Sequence, residues 1–327
     1  MVNVLATNFK LRIILLMNKR SLGFFTYLFL ITACSEQKSV DSIEISNGVA
    51  ESLVTGLLNE TIIHDGVIRD YLIYLPETYD GRTSLPVVMN FHGGSMDARS
   101  QMYLSDMRRL ADQENFILIY PEGTRLKGGD THWNTMVTSV GNKSDSDDIG
   151  FVDSMLDTIA LAYNIDSYRV YATGYSNGAG FTFTLACNLG EKIAAIAPVS
   201  GLIATSTLES CRLSSKIPLL GFHGTDDLER PYEGIQDYLE SVETLMIYWA
   251  DSYGIETASE TNLITNDNRS ITHRSYNSED EEIEISYFTI AEGQHDWFDI
   301  EIDDDNLNQL IWQFMSRFKK QDDFSEK

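Results

Sequence analysis

Basic residues are scarce in this sequence: 24 lysines and arginines face 49 aspartates and glutamates, for a formal net charge of −25 over 327 residues. Such a surface repels the phosphates of nucleic acids and anionic lipid headgroups, so recognition of either by charge attraction is excluded. The same scarcity gives no support for a phosphorylated or strongly anionic substrate. An acidic, soluble surface around a real core is expected, because 43% of the residues are hydrophobic.

Apolar runs long enough to span a membrane are also lacking. The run from Leu22 to Ala33 falls short of the roughly 20 residues that a spanning helix needs. It follows a basic pair, Lys19 and Arg20, which is the order of residues in a signal peptide. We therefore predict a signal over residues 1–34, and the alternative is an uncleaved N-terminal anchor.

The end of this run, "LITAC", resembles the lipobox of bacterial lipoproteins, in which the cysteine is lipidated after cleavage. We predict Cys34 as that cysteine, followed by a polar tether over residues 35–55. Ser35 rather than an aspartate follows it, which favours the outer membrane in a Gram-negative host. Met17 directly precedes the basic residues and the apolar run, as the first residue of a signal peptide does. We therefore interpret residues 1–16 as the result of a start codon assigned too early.

Cysteine is rare, with three in the chain. If Cys34 is lipidated, Cys187 and Cys211 remain as an even pair in an exported protein, where an oxidising compartment favours a disulfide. Two buried free thiols are the alternative. No Cys or His spacing is typical of a metal site, so we predict neither a metal nor another cofactor.

Segments typical of strands alternate with segments typical of helices from about residue 60 onward. Runs such as "LPVVMNF" and "FILIY" indicate buried parallel strands. Helical spacing occurs in "ARSQMYLSDMRRLADQEN" and in "DDIGFVDSMLDTIALAYNI", which Asp147 or Asp148 is placed to cap. A long helix is predicted over residues 234–254 and a pair of strands over residues 270–293. This alternation predicts one α/β domain over residues 56–322, with a mostly parallel sheet covered on both faces.

One pentapeptide, Gly174-Tyr175-Ser176-Asn177-Gly178, lies between the predicted strand "RVYATG" and the predicted helix "NGAGFTF". Gly-x-Ser-x-Gly in this context is the pattern of a nucleophile elbow, a sharp turn that projects its serine. The glycines leave room for the turn, and the helix N-terminus adds positive potential where an oxyanion forms. Ser176 is therefore a candidate nucleophile, and a turn serine without chemistry is the alternative.

A nucleophilic serine needs a base and a carboxylate that orients the base. In this class of hydrolase they follow the serine in the order Ser, Asp, His. Asp226 and Asp227 follow the predicted strand "IPLLGFHG", and the residues alone leave both open. His295 is the one histidine of six beyond the last predicted strand, where this order requires the base. His92 and His223 precede glycines at strand ends and are predicted to be structural.

An oxyanion hole needs two N–H donors. One is the backbone N–H of Asn177, directly after the candidate nucleophile. The other is expected in "HGGS" after "VVMNF", where we choose Gly94 and leave its neighbour Ser95 open. Aromatic residues near these segments are candidate substrate contacts, with ordinary packing as the alternative for both tryptophans: Trp133, Tyr175 and Trp297.

The chain resembles the polyhydroxybutyrate depolymerase and feruloyl esterase group of α/β-hydrolases from about Val67 to Phe318. The resemblance rests on "FHGG", "DDIGFVDSMLD", "RVYATGYSNGAG", "ACNLGEKIAAIAPVSG", "HGTDDLERPY" and "GQHDW", in the family's order. It implies the α/β-hydrolase fold, selects Asp227 over Asp226 and puts Cys187 and Cys211 where a disulfide is expected. Two departures are Ala179, where a glycine is often seen, and "GQHDWFD", which replaces a segment richer in glycine and proline.

These features predict a serine carboxylic-ester hydrolase that works through an acyl-enzyme, with Ser176, His295 and Asp227 as its triad. The resemblance implies short hydroxyalkanoate esters, or feruloyl or acetyl groups on plant polysaccharide. The alternatives are a catalytically inactive glycan- or polymer-binding lipoprotein and an α/β-hydrolase peptidase. We expect no nucleic-acid partner and membrane contact only through the lipid anchor; the sequence leaves the oligomeric state open.

Overall fold

The short apolar runs of the sequence form the centre of a ten-stranded β-sheet. Their β-branched and aromatic residues suit a pleated surface that is buried on both faces. The computed structural model describes residues 54–136, 143–265, 269–280 and 282–320. The strands are β1 (Gly56–His64), β2 (Val67–Leu75), β3 (Leu85–Phe91), β4 (Ile117–Pro121), β5 (Thr124–Arg125), β6 (Thr131–His132), β7 (Ile165–Tyr175), β8 (Ala195–Val199), β9 (Leu219–Gly224), β10 (Ala258–Ile264), β11 (Ser270–Asn277), β12 (Glu284–Ile290), β13 (Glu301–Ile302) and β14 (Asp305–Asn306).

Helices cover both faces of this sheet. They are α1 (Ala98–Leu104), α2 (Arg108–Glu114), α3 (Asp148–Ala162), α4 (Asn177–Asn188), α5 (Thr205–Ser210), α6 (Val242–Ser252) and α7 (Leu307–Met315). Alternate residues of β3 belong to two separate core clusters, since Met89 packs with α3, α4 and α6 whereas Val88 packs with α1, α2 and α7. The core therefore has two layers, one on each face of the sheet.

The strand order is β1-β2-β4-β3-β7-β8-β9-β12-β11-β10. The central strands β4, β3, β7, β8, β9 and β12 pair in parallel. At the two edges, β1 and β2 on one side and β11 and β10 on the other pair antiparallel. The predicted mostly parallel sheet with helices on both faces is confirmed.

The carboxyl ends of the central strands lie at one edge of the sheet, where open α/β sheets place their sites. β7 ends directly before Ser176, and β3 ends directly before His92 and the "HGGS" loop. β9 and β12 end shortly before Asp227 and His295. Parallel pairing thus brings together segments that are far apart in the chain.

The start of α3 is tied to β2 by a buried ion pair. Asp147 is the N-cap, since its carboxylate accepts from the N–H of Gly150 at 2.9 Å. Asp148 instead accepts from the Arg69 guanidinium at 2.8 Å, and both side chains are more than nine-tenths buried. The same carboxylate accepts from the backbone N–H of Asn134 at 2.8 Å, so one buried group joins three segments.

Two predicted helices differ from the structure. The segment over residues 98–115 forms two helices, because Ser105 bonds back to Gln101 and accepts from Asn90 in a buried polar cluster. The helix predicted over residues 234–254 begins only at Val242, where Ser241 caps it. The residues before it form a turn closed by paired backbone hydrogen bonds between Ile235 and Leu239. Side-chain caps and local turns therefore overrode the apolar spacing.

Cys187 and Cys211 form a disulfide, which joins the last turn of α4 to the residue that follows α5. The predicted pairing is confirmed, and the alternative of two free thiols is wrong. The predicted signal over residues 1–34, its Cys34 and nearly all of the tether over residues 35–55 lie outside the described residues. Within the described ranges, no helix combines the length and apolar character needed to cross a bilayer.

The Arg69–Asp148 pair yields a stability prediction. Replacing Asp148 with alanine leaves the Arg69 guanidinium buried without its partner, so we expect a loss of about 3–5 kcal/mol in the free energy of unfolding. The control is Asp157→Ala on the same helix, since Asp157 is 68% exposed and pairs with Lys192 at 2.6 Å; this change is expected to cost less than about 1 kcal/mol. Urea unfolding at pH 7 measures both, and equal losses would contradict the prediction.

Candidate active site

Ser176 occupies a strained turn between β7 and α4. Its φ is 54° and its ψ is −112°, a conformation that a side-chain-bearing residue adopts only when its surroundings impose it. The Ser176 N–H donates to Val199 O at 3.0 Å, and the Ser176 carbonyl accepts the first helical bond, from Gly180, at 3.0 Å. Ser176 is the N-cap residue of α4, yet its hydroxyl makes no capping bond. The backbone is therefore held at both ends while the hydroxyl stays free for another partner.

The glycines on either side of this serine allow a close backbone approach. A Cβ on Gly178 would lie 2.3 Å from the carbonyl oxygen of Phe91, and a Cβ on Gly174 would lie 2.8 Å from that same atom. The Phe91 carbonyl cannot shift to make room for such a Cβ, because β3 and β7 are hydrogen-bonded neighbours in the sheet. The Gly-x-Ser-x-Gly spacing is therefore a packing requirement of the turn.

Ser176, His295 and Asp227 form one hydrogen-bonded line. The Ser176 Oγ lies 2.8 Å from His295 Nε2, and His295 Nδ1 lies 2.7 Å from Asp227 Oδ2. Since an ionised carboxylate only accepts, Nδ1 donates to Asp227 and Nε2 is left to accept the serine proton. This is the geometry of a nucleophile, a base and an orienting carboxylate.

The surroundings of Asp227 favour its charged form. Burial acts to raise the pKa of this carboxyl, but hydrogen bonds from His295 and from the backbone N–H of Arg230 outweigh burial and hold the pKa below its usual value. Oδ1 accepts from the N–H groups of Glu229 and Arg230 at 2.9 and 2.8 Å, which leaves Oδ2 for His295. Asp226, the alternative left open by the residues, is exposed and makes no hydrogen bond to His295.

The two expected oxyanion donors lie on segments that are tied together. The Asn177 side chain forms two hydrogen bonds with the backbone of Trp133, at 2.8 and 3.1 Å, so only its backbone N–H is left for an oxyanion. Ser95 donates its N–H to Thr131 O at 2.9 Å, which uses the donor that had been left open beside Gly94. Gly94 packs against Asn177, since a Cβ added to Gly94 would lie 3.7 Å from the Asn177 Cβ. The geometry therefore favours Gly94 and Asn177 as the pair.

The buried His92 side chain holds the backbone of the "HGGS" loop. Its Nε2 accepts from the Gly123 N–H at 2.8 Å, and its Nδ1 donates to the Gly93 carbonyl at 2.8 Å. Burial lowers the pKa of His92 to about 4, so the imidazole is neutral near pH 7. His92 thus orients loop backbone, as predicted, and so does His223, whose Nε2 donates to Arg230 O at 2.6 Å.

Two of the three aromatic candidates have other partners. Trp133 is fully buried, stacks on Phe181 at 4.9 Å and donates its indole N–H to the His92 carbonyl at 3.1 Å. It has no exposed surface to offer a substrate, so the expectation that it lines a pocket is corrected to ordinary packing. The Trp297 indole N–H donates to Asn308 at 3.2 Å, and the ring packs against the core beneath α7.

Tyr175, the third aromatic candidate, holds the histidine loop. Its hydroxyl donates to the His295 carbonyl at 2.6 Å, and the two rings lie 5.1 Å apart. Ser200 makes a matching contact one residue further on, donating to the Asp296 carbonyl at 2.6 Å. Sequence reasoning missed both contacts, because no spacing rule relates residues that are 120 and 96 positions apart.

Cavity size alone does not mark this site. The larger described cavity, about 730 Å³, lies along β1 and β2 and touches no residue of the triad. A second, of about 570 Å³, is bordered by Asp227, Leu228 and Tyr232. The described group of possible metal ligands is His64, Asp65 and Asp147, but the Asp147 carboxylate already caps α3.

The fold and the Ser176, His295, Asp227 line define an α/β-hydrolase with a serine–histidine–aspartate constellation. The family model described as "Esterase PHB depolymerase" matches residues 69–214. A bifunctional acetylxylan esterase/xylanase of Neocallimastix patriciarum is 25% identical over 263 residues, which are 80% of this chain and 35% of that protein. Feruloyl esterase B of Piromyces equi is 26% identical over 168 residues, which are 51% of this chain and 30% of that protein.

These matches support a relationship to the polyhydroxybutyrate depolymerase and feruloyl esterase group of α/β-hydrolases. The chain spans about a third of the length of these two curated relatives. Among solved structures, an acetyl xylan esterase from Aspergillus awamori is similar with a TM-score of 0.56 and 18% identity, covering 74% of this chain and 94% of that one. That likeness supports the α/β-hydrolase fold.

The Tyr175 contact yields a prediction about catalysis. Tyr175→Phe removes the hydrogen bond to the His295 carbonyl, so the imidazole is held less well and kcat for an activated ester is expected to fall about 3- to 10-fold with little change in KM. The control is Tyr253→Phe, which removes a tyrosine hydroxyl that donates to the Ser215 carbonyl away from the triad. Steady-state kinetics of both variants test this; a Tyr175→Phe enzyme with wild-type kcat would contradict it.

Proposed function

We propose that this protein is a serine carboxylic-ester hydrolase that works through a covalent acyl-enzyme. The observation that carries the proposal is the hydrogen-bonded line from Ser176 Oγ through His295 to Asp227, at 2.8 and 2.7 Å. An isolated serine hydroxyl is a weak nucleophile near neutral pH, and this line supplies the base that it needs. The esterases that the chain resembles support the same reaction class.

In the proposed acylation step, Ser176 Oγ attacks the ester carbonyl while His295 Nε2 takes the hydroxyl proton. Asp227 keeps Nδ1 protonated and stabilises the imidazolium that forms. The negative charge on the carbonyl oxygen is met by the backbone N–H groups of Gly94 and Asn177, at the N-terminus of α4. Collapse of this intermediate breaks the ester C–O bond, and the leaving alkoxide takes the proton from His295.

Deacylation repeats these roles with water as the nucleophile. His295 takes a proton from water, the hydroxide attacks the acyl carbon, and Ser176 Oγ leaves with the proton that His295 returns. The products are a carboxylic acid and an alcohol, and the protein is restored. For the acyl group we propose the family's range, namely feruloyl or acetyl esters of plant polysaccharide, or short hydroxyalkanoate esters.

The test is hydrolysis of p-nitrophenyl acetate and butyrate by the purified protein. Ser176→Ala removes the nucleophile, and we expect kcat to fall by at least about 10⁴-fold. Ser210→Ala, an exposed serine on α5, is the control and is expected to keep wild-type activity. Equal release of p-nitrophenol by wild type and Ser176→Ala would sink the nucleophile assignment.

Two further measurements distinguish the esterase from the alternative functions, a peptidase and an inactive binding protein. Faster cleavage of a peptide p-nitroanilide than of either ester would favour the peptidase. Binding of xylan or hydroxybutyrate oligomers without turnover would favour the inactive binding protein. A panel of methyl ferulate, acetylated xylan and hydroxybutyrate oligomers then ranks the proposed acyl groups by kcat/KM.

We also propose that the chain is exported and anchored through a lipid on Cys34. The support is sequence alone: a basic pair, an apolar run and "LITAC", followed by the polar residues 35–55. In a Gram-negative host fed an alkyne-labelled fatty acid, we expect label on the wild type and none on Cys34→Ala. Ser35→Asp serves as the matched variant, since it should keep the label but move the protein from the outer to the inner membrane fraction. Label retained by Cys34→Ala would refute the anchor.

A further inference from the structure

Arg230 combines a fixed backbone with an unpaired side chain. Its N–H donates to Asp227 Oδ1 at 2.8 Å, and its carbonyl accepts from His223 Nε2 at 2.6 Å. The residue therefore sits rigidly on the loop that carries the triad carboxylate. Its guanidinium, in contrast, makes no hydrogen bond or ion pair with any residue in the described ranges.

This lack of a partner sets Arg230 apart from comparable arginines. Wherever the described chain shields another arginine partly or fully from solvent, its guanidinium donates to a carboxylate or a carbonyl: Arg69, Arg108, Arg169, Arg269 and Arg274. Carboxylates are plentiful in a chain with 49 aspartates and glutamates. The Arg230 guanidinium is half-exposed on the loop that carries Asp227, so it is open to a ligand with acceptor oxygens.

His132 is the second unsatisfied group near the triad. It lies between two anchors, since Thr131 O accepts from Ser95 beside Gly94, and the backbone of Trp133 bonds the Asn177 side chain. The segment thus contacts both sides of the expected oxyanion hole. The His132 side chain is 8% exposed, and its Nδ1 is buried with no hydrogen-bond partner in the described structure.

The positive charge of Arg230 acts on the titration of His132. Burial, followed by the positive charges of Lys143 and Arg230, lowers the pKa of His132 to about 4. The imidazole is therefore neutral near pH 7 and offers one N–H donor. A guanidinium and a neutral N–H match an anionic oxygen ligand, and a guanidinium in particular fits both oxygens of a carboxylate.

The rest of the loop restricts where such a ligand sits. Glu229 is 75% exposed and its carboxylate lies 3.7 Å from His295 Nε2, so a second carboxylate next to the base is repelled there. The attractive side of the site is the one formed by Arg230 and His132. The overall negative charge of the protein does not oppose this, because contacts within a few ångströms outweigh screened distant charges.

We propose that Arg230 and His132 bind a carboxylate carried by the ester substrate, so that acidic esters are favoured over neutral ones of equal length. Suitable substrates are half-esters of dicarboxylic acids, hydroxy-acid oligomers with a free carboxyl end, and esters on acidic sugars. This inference rests on the proposed esterase function and deepens it.

The test compares two activated esters of the same acyl length, 4-nitrophenyl hydrogen glutarate and 4-nitrophenyl pentanoate. The readout is the ratio of their kcat/KM values. Arg230→Gln is expected to lower this acid-to-neutral ratio at least tenfold, mainly through KM for the glutarate, and Arg230→Lys by less. His132→Phe keeps a ring but removes the nitrogens, and is expected to lower the ratio about threefold or more. Arg109→Gln, an exposed arginine on α2, is the control.

An Arg230→Gln ratio within twofold of the wild-type ratio would overturn the carboxylate site. If the wild type cleaves neither ester, the proposed function fails, and a binding measurement then decides the site alone. Calorimetry with monomethyl glutarate should show at least fivefold weaker binding to Arg230→Gln than to the wild type. Equal binding, or no binding to either protein, overturns the proposal whatever the kinetics show.

Discussion

The close contact between the first turn of α4 and the end of β3 is the constraint on which the site depends. Gly178 leaves no room for a side chain against the Phe91 carbonyl, so α4 begins directly beside the "HGGS" loop. That approach forces Ser176 into its positive φ and frees its hydroxyl from capping. It also brings the Asn177 side chain onto the Trp133 backbone, whose indole in turn bonds the His92 carbonyl. One steric requirement thus orders the nucleophile and the expected oxyanion donors together.

The triad is completed by parallel pairing rather than by local structure. Asp227 and His295 lie 68 residues apart, yet they meet because β9 and β12 pair in parallel and end at the same edge of the sheet. Tyr175 and Ser200, at the ends of β7 and β8, then hold the carbonyls of the histidine loop. The loop is thereby supported from two strands, which is how a site on flexible segments keeps a fixed geometry. The disulfide adds a covalent link between the last turn of α4 and the residue that follows α5.

Much of this arrangement can be predicted from the amino-acid sequence. The buried central strands are short apolar runs, and the elbow has a steric signature in its glycines, so both were predicted. The edge strands β1 and β10 were not, because their exposed faces carry polar residues without a clear alternation. The helix over residues 234–254 was overextended, since a local turn and the Ser241 cap outweigh apolar spacing. Trp133 was left open between a substrate contact and ordinary packing, and the structure favours packing; the sequence could not decide, because burial of a tryptophan depends on neighbours that are distant in sequence.

The sequence by itself determined the fold class and the candidate nucleophile Ser176, because periodicity and turn chemistry are local. It also offered His295 as the base, but it left Asp226 and Asp227 open until the family resemblance selected Asp227. The tertiary structure alone decided which donors are already used and which are free. It assigns the Asn177 side chain to Trp133 and the Ser95 N–H to Thr131, and it leaves the buried Nδ1 of His132 without a partner in the described structure. Whether a polar group has a partner depends on atoms from remote segments, and only folding brings those atoms within hydrogen-bonding distance.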